Sequence, residues 1–364
     1  MARGESEQGH ERGILMKRSM VMSAVALAAM VIAGSASAKD LNGAGGTAIY
    51  PVLAKWADAY KQATGTAVNY QAIGSGGGIQ QITAKTVDFA NSDKPLTHAD
   101  LQKINAVQFP AVIISIVPVV NIPGVKAGDL VLDGKTLADI YLGNVAYWDD
   151  AAIKKLNPNL KLPHLDISTV HRSDGSGTTF NFTNYLGKVS PEWDKKVGAD
   201  TAVEWPNGVG GKGNAGVASM SQQINGSIGY VEYAYAKENK MVYTKMINTA
   251  GKTLEPTMDA FSSAGANADF TKVQDYYLIL TDQPGDKSWP ITAATYMLMR
   301  TDYSADQNEP VLKFLDWCLK NGQQQASALD YVPMPPSVVS QIEGSWAQWF
   351  KGQDGKPLWT ASAR

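Results

Sequence analysis

The sequence predicts an α/β protein folded as two lobes, each built on a sheet with helices on its faces. Three observations carry that expectation. The chain has 364 residues, more than a single hydrophobic core comfortably organises. Strand-like and helix-like stretches alternate along it, the order that builds mostly parallel sheets. The run Ala111 to Val120 is almost wholly apolar and β-branched, as a strand covered on both faces must be. The composition, 44% hydrophobic and 18% charged, is that of an ordinary globular chain.

Taken in order, the chain opens on an export signal. Lys17 and Arg18 precede an apolar run from Met20 to Ala33 that closes in Ala36-Ser37-Ala38. A basic start, a short apolar core and an Ala-x-Ala site describe a secretory signal peptide. The run is shorter than the roughly 20 residues of a membrane span. Residues 1–38 are therefore expected to be a signal with an N-terminal extension, with Met16 an alternative start to Met1. Lys39 stands where a lipoprotein would need cysteine, so the mature chain is expected to be free in the periplasm. Cys318 is the single cysteine and excludes an intrachain disulfide; its neighbours Phe314, Leu315 and Leu319 predict a buried helical position.

Tyr50, Leu53, Ala57 and Tyr60 recur at helical spacing, and Thr64-Gly65 ends that helix. Val68, Tyr70 and Ala72 alternate as in a strand, Gly74 to Gly78 turn, and a short helix runs through Ile79 and Ile82. Val87 to Ala90 reads as the next strand. The strand ending at Val120 meets the turn signal Asn121-Ile122-Pro123-Gly124. A second alternating set follows through Ile140–Leu142, Ile167–Val170 and Ile228–Tyr235. An apolar segment from Ile291 to Met299 and a helix around Val311 to Lys320 close the chain. Val120–Pro123 and Trp289–Ile291 are read as two crossings. One lobe then comprises 39–120 with 291–364, and the other 121–290.

Glycine-rich, hydroxyl-bearing turns stand ahead of helices at Gly43–Ala48, Gly74–Gly78 and Arg172–Thr179. Helix N-termini present free N–H groups and the positive end of the dipole, so such turns are ready anion sites. With a formal net charge of −2, bulk attraction cannot hold an anion, and no basic face offers itself to nucleic acid. Catalytic patterns fare worse. Gly43–Ala48 matches a loose dinucleotide fingerprint without the later acidic residue. Gly210-Gly211-Lys212-Gly213 lacks the spacing and hydroxyl of a P-loop. Asp174 stands where a GxSxG elbow around Ser176 needs glycine. His171 reads as a strand histidine rather than a base. His10, His98 and His164 show no metal-ligand spacing, so neither metal nor cofactor is expected.

On these motifs the chain resembles the periplasmic phosphate-binding proteins of bacterial high-affinity, ATP-driven phosphate importers. The likeness runs from about Leu41 over nearly the whole remaining chain. It rests on Gly43–Thr47, Ala54–Ala57, Tyr70–Ser75, Val87–Phe89, Arg172–Thr178 and Gly226–Glu232. The resemblance implies a two-lobed binding protein of type II, with mixed, mostly parallel sheets, helices on both faces and a two-strand hinge. It also implies a non-enzymatic, monomeric carrier that hands phosphate to membrane permease subunits. Transferred position by position, phosphate would meet Thr47, Ala48, Ser75, Asp93, Arg172, Ser176, Gly177 and Thr178, with Asp174 steadying the arginine. Ala48-Ile49-Tyr50-Pro51 departs from the family's usual aromatic-proline pair. Gly76 replaces a common second serine.

The chemistry of Asp93 fits that implication. Hydrogen phosphate carries a proton that an ionised carboxylate accepts, whereas sulfate has none and would meet it with repulsion. Two other readings remain open on the residues: a sulfate, molybdate or tungstate binder, and a secreted phosphatase. The latter would need an activated nucleophile or a metal.

Overall fold

The computed structural model describes residues 40–360; the signal-peptide expectation for residues 1–38 lies outside them. The described chain is organised by one long strand. Ala106–Asn121 (β4) keeps nearly every side chain buried, as its apolar sequence requires. Its first half pairs with Thr292–Arg300 (β12), from Ala106↔Arg300 to Ser115↔Thr292. Its second half pairs with Ser227–Glu232 (β8), from Ile116↔Glu232 to Asn121↔Ser227.

Around the first half lie Leu41–Gly45 (β1), Val68–Ala72 (β2) and Phe89–Ser92 (β3), in the order β2-β1-β3-β12-β4. Around the second half lie Ser168–Arg172 (β6) and Val209–Gly211 (β7), continuing the order as β4-β8-β6-β7. The outer pairings β1 with β2 and β3, and β6 with β7 and β8, are parallel; those of β4 and β12 are antiparallel. The antiparallel centre arises because β12 returns from the second half to fill a gap between β3 and β4. Val242–Tyr243 (β9) and Val332–Pro333 (β13) add short pairings to β4. A small sheet joins Thr253–Leu254 (β11), Lys245–Ile247 (β10) and Val131–Asp133 (β5).

Each half has its own large hydrophobic core, giving the two lobes. The first gathers Leu53, Trp56, Phe109, Ile114 and Ile342; the second gathers Ile116, Leu137, Trp148, Trp193 and Tyr230. The change of core therefore falls between Ile114 and Ile116, inside β4 and ahead of the Val120–Pro123 turn. The second crossing falls where Ile291 faces one core and Ala293 the other. The two crossings lie side by side, with the Ile116 N–H donating to the Ile291 carbonyl at 2.9 Å and Trp289 Nε1 donating to the Ile116 carbonyl at 2.9 Å. Phe270, Tyr276 and Leu280, within the 121–290 span, pack in the first core, because Tyr276 seats its ring edge-on to Trp349 and bonds Ser345.

Five helices place the chemistry: Tyr50–Thr64 (α1), Ser75–Thr83 (α2), Gly177–Val189 (α3), Gly213–Gln223 (α4) and Tyr233–Glu238 (α5). Pro51 opens α1, where its missing N–H costs nothing, and Gly65 closes it in the left-handed conformation. Cys318 is buried in the helix Ala305–Asn321, as its apolar neighbours require. Among the described residues no helix is long and apolar enough to cross a membrane.

Candidate anion-binding site

The N-termini of α1, α2, α3 and α4 meet where the two cores face each other. Thr47 and Ala48 lie just ahead of α1 on the segment leaving β1. Ser75 is the first residue of α2, after Gly74 at φ +88. Gly177 and Thr178 open α3, capped by Ser176, whose Oγ accepts the Thr179 N–H at 3.0 Å. The side chains of Thr47, Ser75, Asp93, Arg172, Ser176 and Thr178 are all buried. Helix starts leave their first amides without intrahelical acceptors, so this junction concentrates donors and positive dipole ends.

Arg172 ends β6 and is gripped at two points by Asp174, through Nε–Oδ1 at 2.7 Å and Nη2–Oδ2 at 2.5 Å. Its Nη1 is left facing Thr178 Oγ1 at 3.4 Å. The planar fork is thus fixed on one edge while the other points into the junction. Burial works against ionisation of Asp174, but the arginine and the Gly213 N–H, at 2.9 Å, outweigh it and hold the carboxyl below its ordinary range.

Asp93, just past β3, receives the Thr295 hydroxyl on Oδ1 at 2.7 Å. Burial pushes its carboxyl up to about 6, against the lowering pull of Thr295, Arg172 and Thr178. A group so poised is ionised at neutral pH yet close to taking up a proton.

The two lobes touch through this set. Ser75 Oγ accepts the Gly177 N–H at 3.1 Å and the Asp93 N–H at 3.2 Å. The Gly76 N–H donates to the Gly175 carbonyl at 2.9 Å, and Asn181 donates to the Asp93 carbonyl at 2.8 Å. No side chain fits at Gly177, where a Cβ would come within 2.6 Å of both Asp93 Cβ and Ser75 Oγ. Small residues here let the lobes close to backbone contact.

All eight residues expected to meet an anion, with Asp174, are brought to this junction. Several of their groups are already engaged, among them the Gly177 and Asp93 amides on Ser75 Oγ and the Ser176 amide on the Thr201 carbonyl at 2.8 Å. Several contributors escaped the sequence reading. Asn214, at the start of α4, donates to Thr47 Oγ1 from its amide at 3.1 Å and from Nδ2 at 2.8 Å. The Tyr235 hydroxyl holds the Thr47 carbonyl at 2.8 Å, and that of Tyr331 holds the Ala48 carbonyl at 2.7 Å. Glu232 heads α5 beside Tyr331, and burial raises its carboxyl well above the ordinary range. The signal for Asn214 was present: Gly213-Asn214 after a glycine run repeats the style of the other turns.

His171, next to Arg172 in the chain, stacks on Trp205 with ring centres 4.7 Å apart, and its Nδ1 lies 3.1 Å from the Arg172 carbonyl oxygen. Burial lowers its basicity. Among the described residues no cluster of histidine, cysteine and carboxylate side chains could hold a metal.

Comparison with known proteins agrees with this architecture. A family model described as a PBP superfamily domain matches residues 31–321, which gives the class: two-lobed binding proteins. The chain is 53% identical over 312 residues to phosphate-binding protein PstS of Xylella fastidiosa, covering 85% of this chain and 86% of that one. It is 47% identical over 346 residues to phosphate-binding protein PstS of Pasteurella multocida, covering 95% of this chain and all of that one (100%). The chain belongs to the PstS family of phosphate-binding proteins. The same fold appears in a high-affinity periplasmic phosphate-binding protein solved with phosphate, at 20% identity and a TM-score of 0.67 over 85% of this chain and 94% of that one.

Proposed function

We propose that this chain captures inorganic phosphate between its lobes and delivers it to an ABC-type membrane importer from the periplasm. The observation that carries the reading is the junction itself: four helix N-termini and the free edge of Arg172 converge on one buried region that also holds the carboxylate of Asp93. A site made only of donors would suit any tetrahedral oxyanion. A carboxylate among them suits an anion that still carries a proton, and phosphate does.

In this reading the open protein holds phosphate on the first lobe through Thr47, Ala48 and Ser75. Closure then adds Arg172, Ser176, Gly177 and Thr178 and expels water. The moving bodies are the proposed lobes, 39–120 with 291–364 and 121–290. The change of core favours placing their boundary at Ser115–Ile116 within β4. Binding without hydrolysis is favoured because His171 packs on Trp205 and Ser176 Oγ is occupied as a helix cap. A monomer carries every group the reading needs.

Calorimetric titration of the mature protein, stripped of ligand, with phosphate and then sulfate tests the proposal. One-to-one phosphate binding without sulfate binding is expected. A preference for sulfate would overturn the role given to Asp93, and silence with both would overturn capture.

A further inference from the structure

Lys94 follows Asp93 directly, and its side chain runs out of the buried site toward the opposite lobe. Its Nζ donates to Oδ1 of Asp200 at 2.7 Å and lies 5.1 Å from the ring centre of Phe180 on α3. Both partners belong to the 121–290 span, so these contacts exist only while the lobes are together. Asp200 is itself tied to the site. Its Oδ1 also accepts the Thr201 N–H at 2.6 Å, and the Thr201 carbonyl accepts the N–H of Ser176, the cap of α3.

The charge balance gives this contact a use. Arg172 is matched at two points by Asp174, and Asp93 adds a further carboxylate. The whole chain carries a formal net charge of −2. An incoming dianion therefore needs positive charge at the cleft mouth that closure can later mask. Lys94 supplies it. With the lobes apart its ammonium is released from Asp200 and stands next to the residue the anion must meet. With the lobes together, the same ammonium is paired with Asp200 and lies over the ring of Phe180.

We propose that Lys94 is the kinetic clasp of the cleft: unpaired, it draws the anion in, and paired with Asp200 over Phe180, it slows the anion's escape. This rests on the phosphate reading above. The side chains of Lys94 and Asp200 are 32% and 56% exposed, so solvent screening keeps the pair's effect to a few fold. The clasp thus adds modestly to affinity through both rates, while the buried groups supply most of it.

Stopped-flow kinetics with inorganic phosphate on the wild type, K94Q, D200N and the double variant test the clasp, at about 0.02 M and about 0.5 M salt. K94Q should lower the association rate about two- to tenfold at low salt and converge with the wild type at high salt. D200N should leave association undiminished. Dissociation should rise about two- to fivefold in both single variants and no further in the double, since either change breaks the same pair. An unchanged dissociation rate in D200N, or an unchanged low-salt association rate in K94Q, would overturn the proposal. Failure of the wild type to bind phosphate by calorimetry would instead refute the ligand reading, and the clasp with it.

Discussion

Replacing Asp93 with asparagine is the sharpest test of how this site chooses its anion. The substitution is nearly isosteric, and the asparagine oxygen can keep the Thr295 hydroxyl that Asp93 Oδ1 receives at 2.7 Å. The change falls on the other edge. Wild-type Asp93 presents a buried acceptor there, ionised at neutral pH because its pKa is about 6. Sulfate placed against it leaves two acceptors facing each other with no proton between them. A buried unmet acceptor costs about 1–3 kcal/mol, and more when charged. Asparagine turns an N–H₂ toward the anion, so that cost becomes a hydrogen bond. Sulfate affinity relative to phosphate should therefore rise at least 5- to 150-fold, the range that about 1–3 kcal/mol spans. Competition calorimetry at pH 7.5, with phosphate displacing sulfate, reads the ratio directly. A ratio unchanged in D93N, in a protein that still binds phosphate, would refute the argument that this carboxylate rejects protonless oxyanions.

Three further expectations follow from the same geometry. Because burial raises the Asp93 pKa to about 6, the side chain gains its proton as pH falls through that value, well before an ordinary carboxylate would. Sulfate binding to the wild type should accordingly appear between pH 7 and pH 5 and be flat over that range in D93N, as titrations at each pH would show. Gly177→Ala places a Cβ within 2.6 Å of Asp93 Cβ and Ser75 Oγ across the lobe junction. Phosphate affinity should drop by roughly 100-fold or more, the scale of losing an assembled set of buried hydrogen bonds, with little change in melting temperature. Small-angle scattering with saturating phosphate should then report the expanded, open form; a compact profile would count against the steric argument. Asp174→Asn removes the charge that grips Arg172 at two points and leaves a buried guanidinium under-compensated. We expect phosphate affinity to weaken about 10- to 100-fold and thermal stability to fall by about 2–4 kcal/mol, read by calorimetry and by denaturant titration.

What the sequence revealed of this site depended on chain locality. The loop Arg172–Thr178 carries its charge, hydroxyls and glycines in one stretch, ends a strand and starts a helix, so its purpose could be read from seven adjacent residues. Gly43–Ala48 and Gly74–Gly78 were legible for the same reason. Thr295 was not, because within an apolar strand it looks like any small β-branched residue, and only the pairing of β12 beside β3 brings it to Asp93. Tyr331 and Tyr235 were hidden similarly: each works through one hydroxyl on a backbone carbonyl far away in the chain. The fold was legible as alternation, and the long apolar run announced β4. The point at which β4 passes from one core to the other was not, since both halves of that strand are equally apolar.

The insertion of β12 between β3 and β4 shapes how this molecule comes into being as well as how it works. β3 and β4 are complete by Asn121, yet the strand that joins them ends at Arg300. A chain emerging end-first therefore exposes two unpaired strand edges until most of it is out, since no local contact can substitute for the missing neighbour. Such long-range pairing is slow, and open edges of this kind invite association between chains. The first lobe therefore stays unfinished until the last third of the chain arrives, however early its own first strands are made.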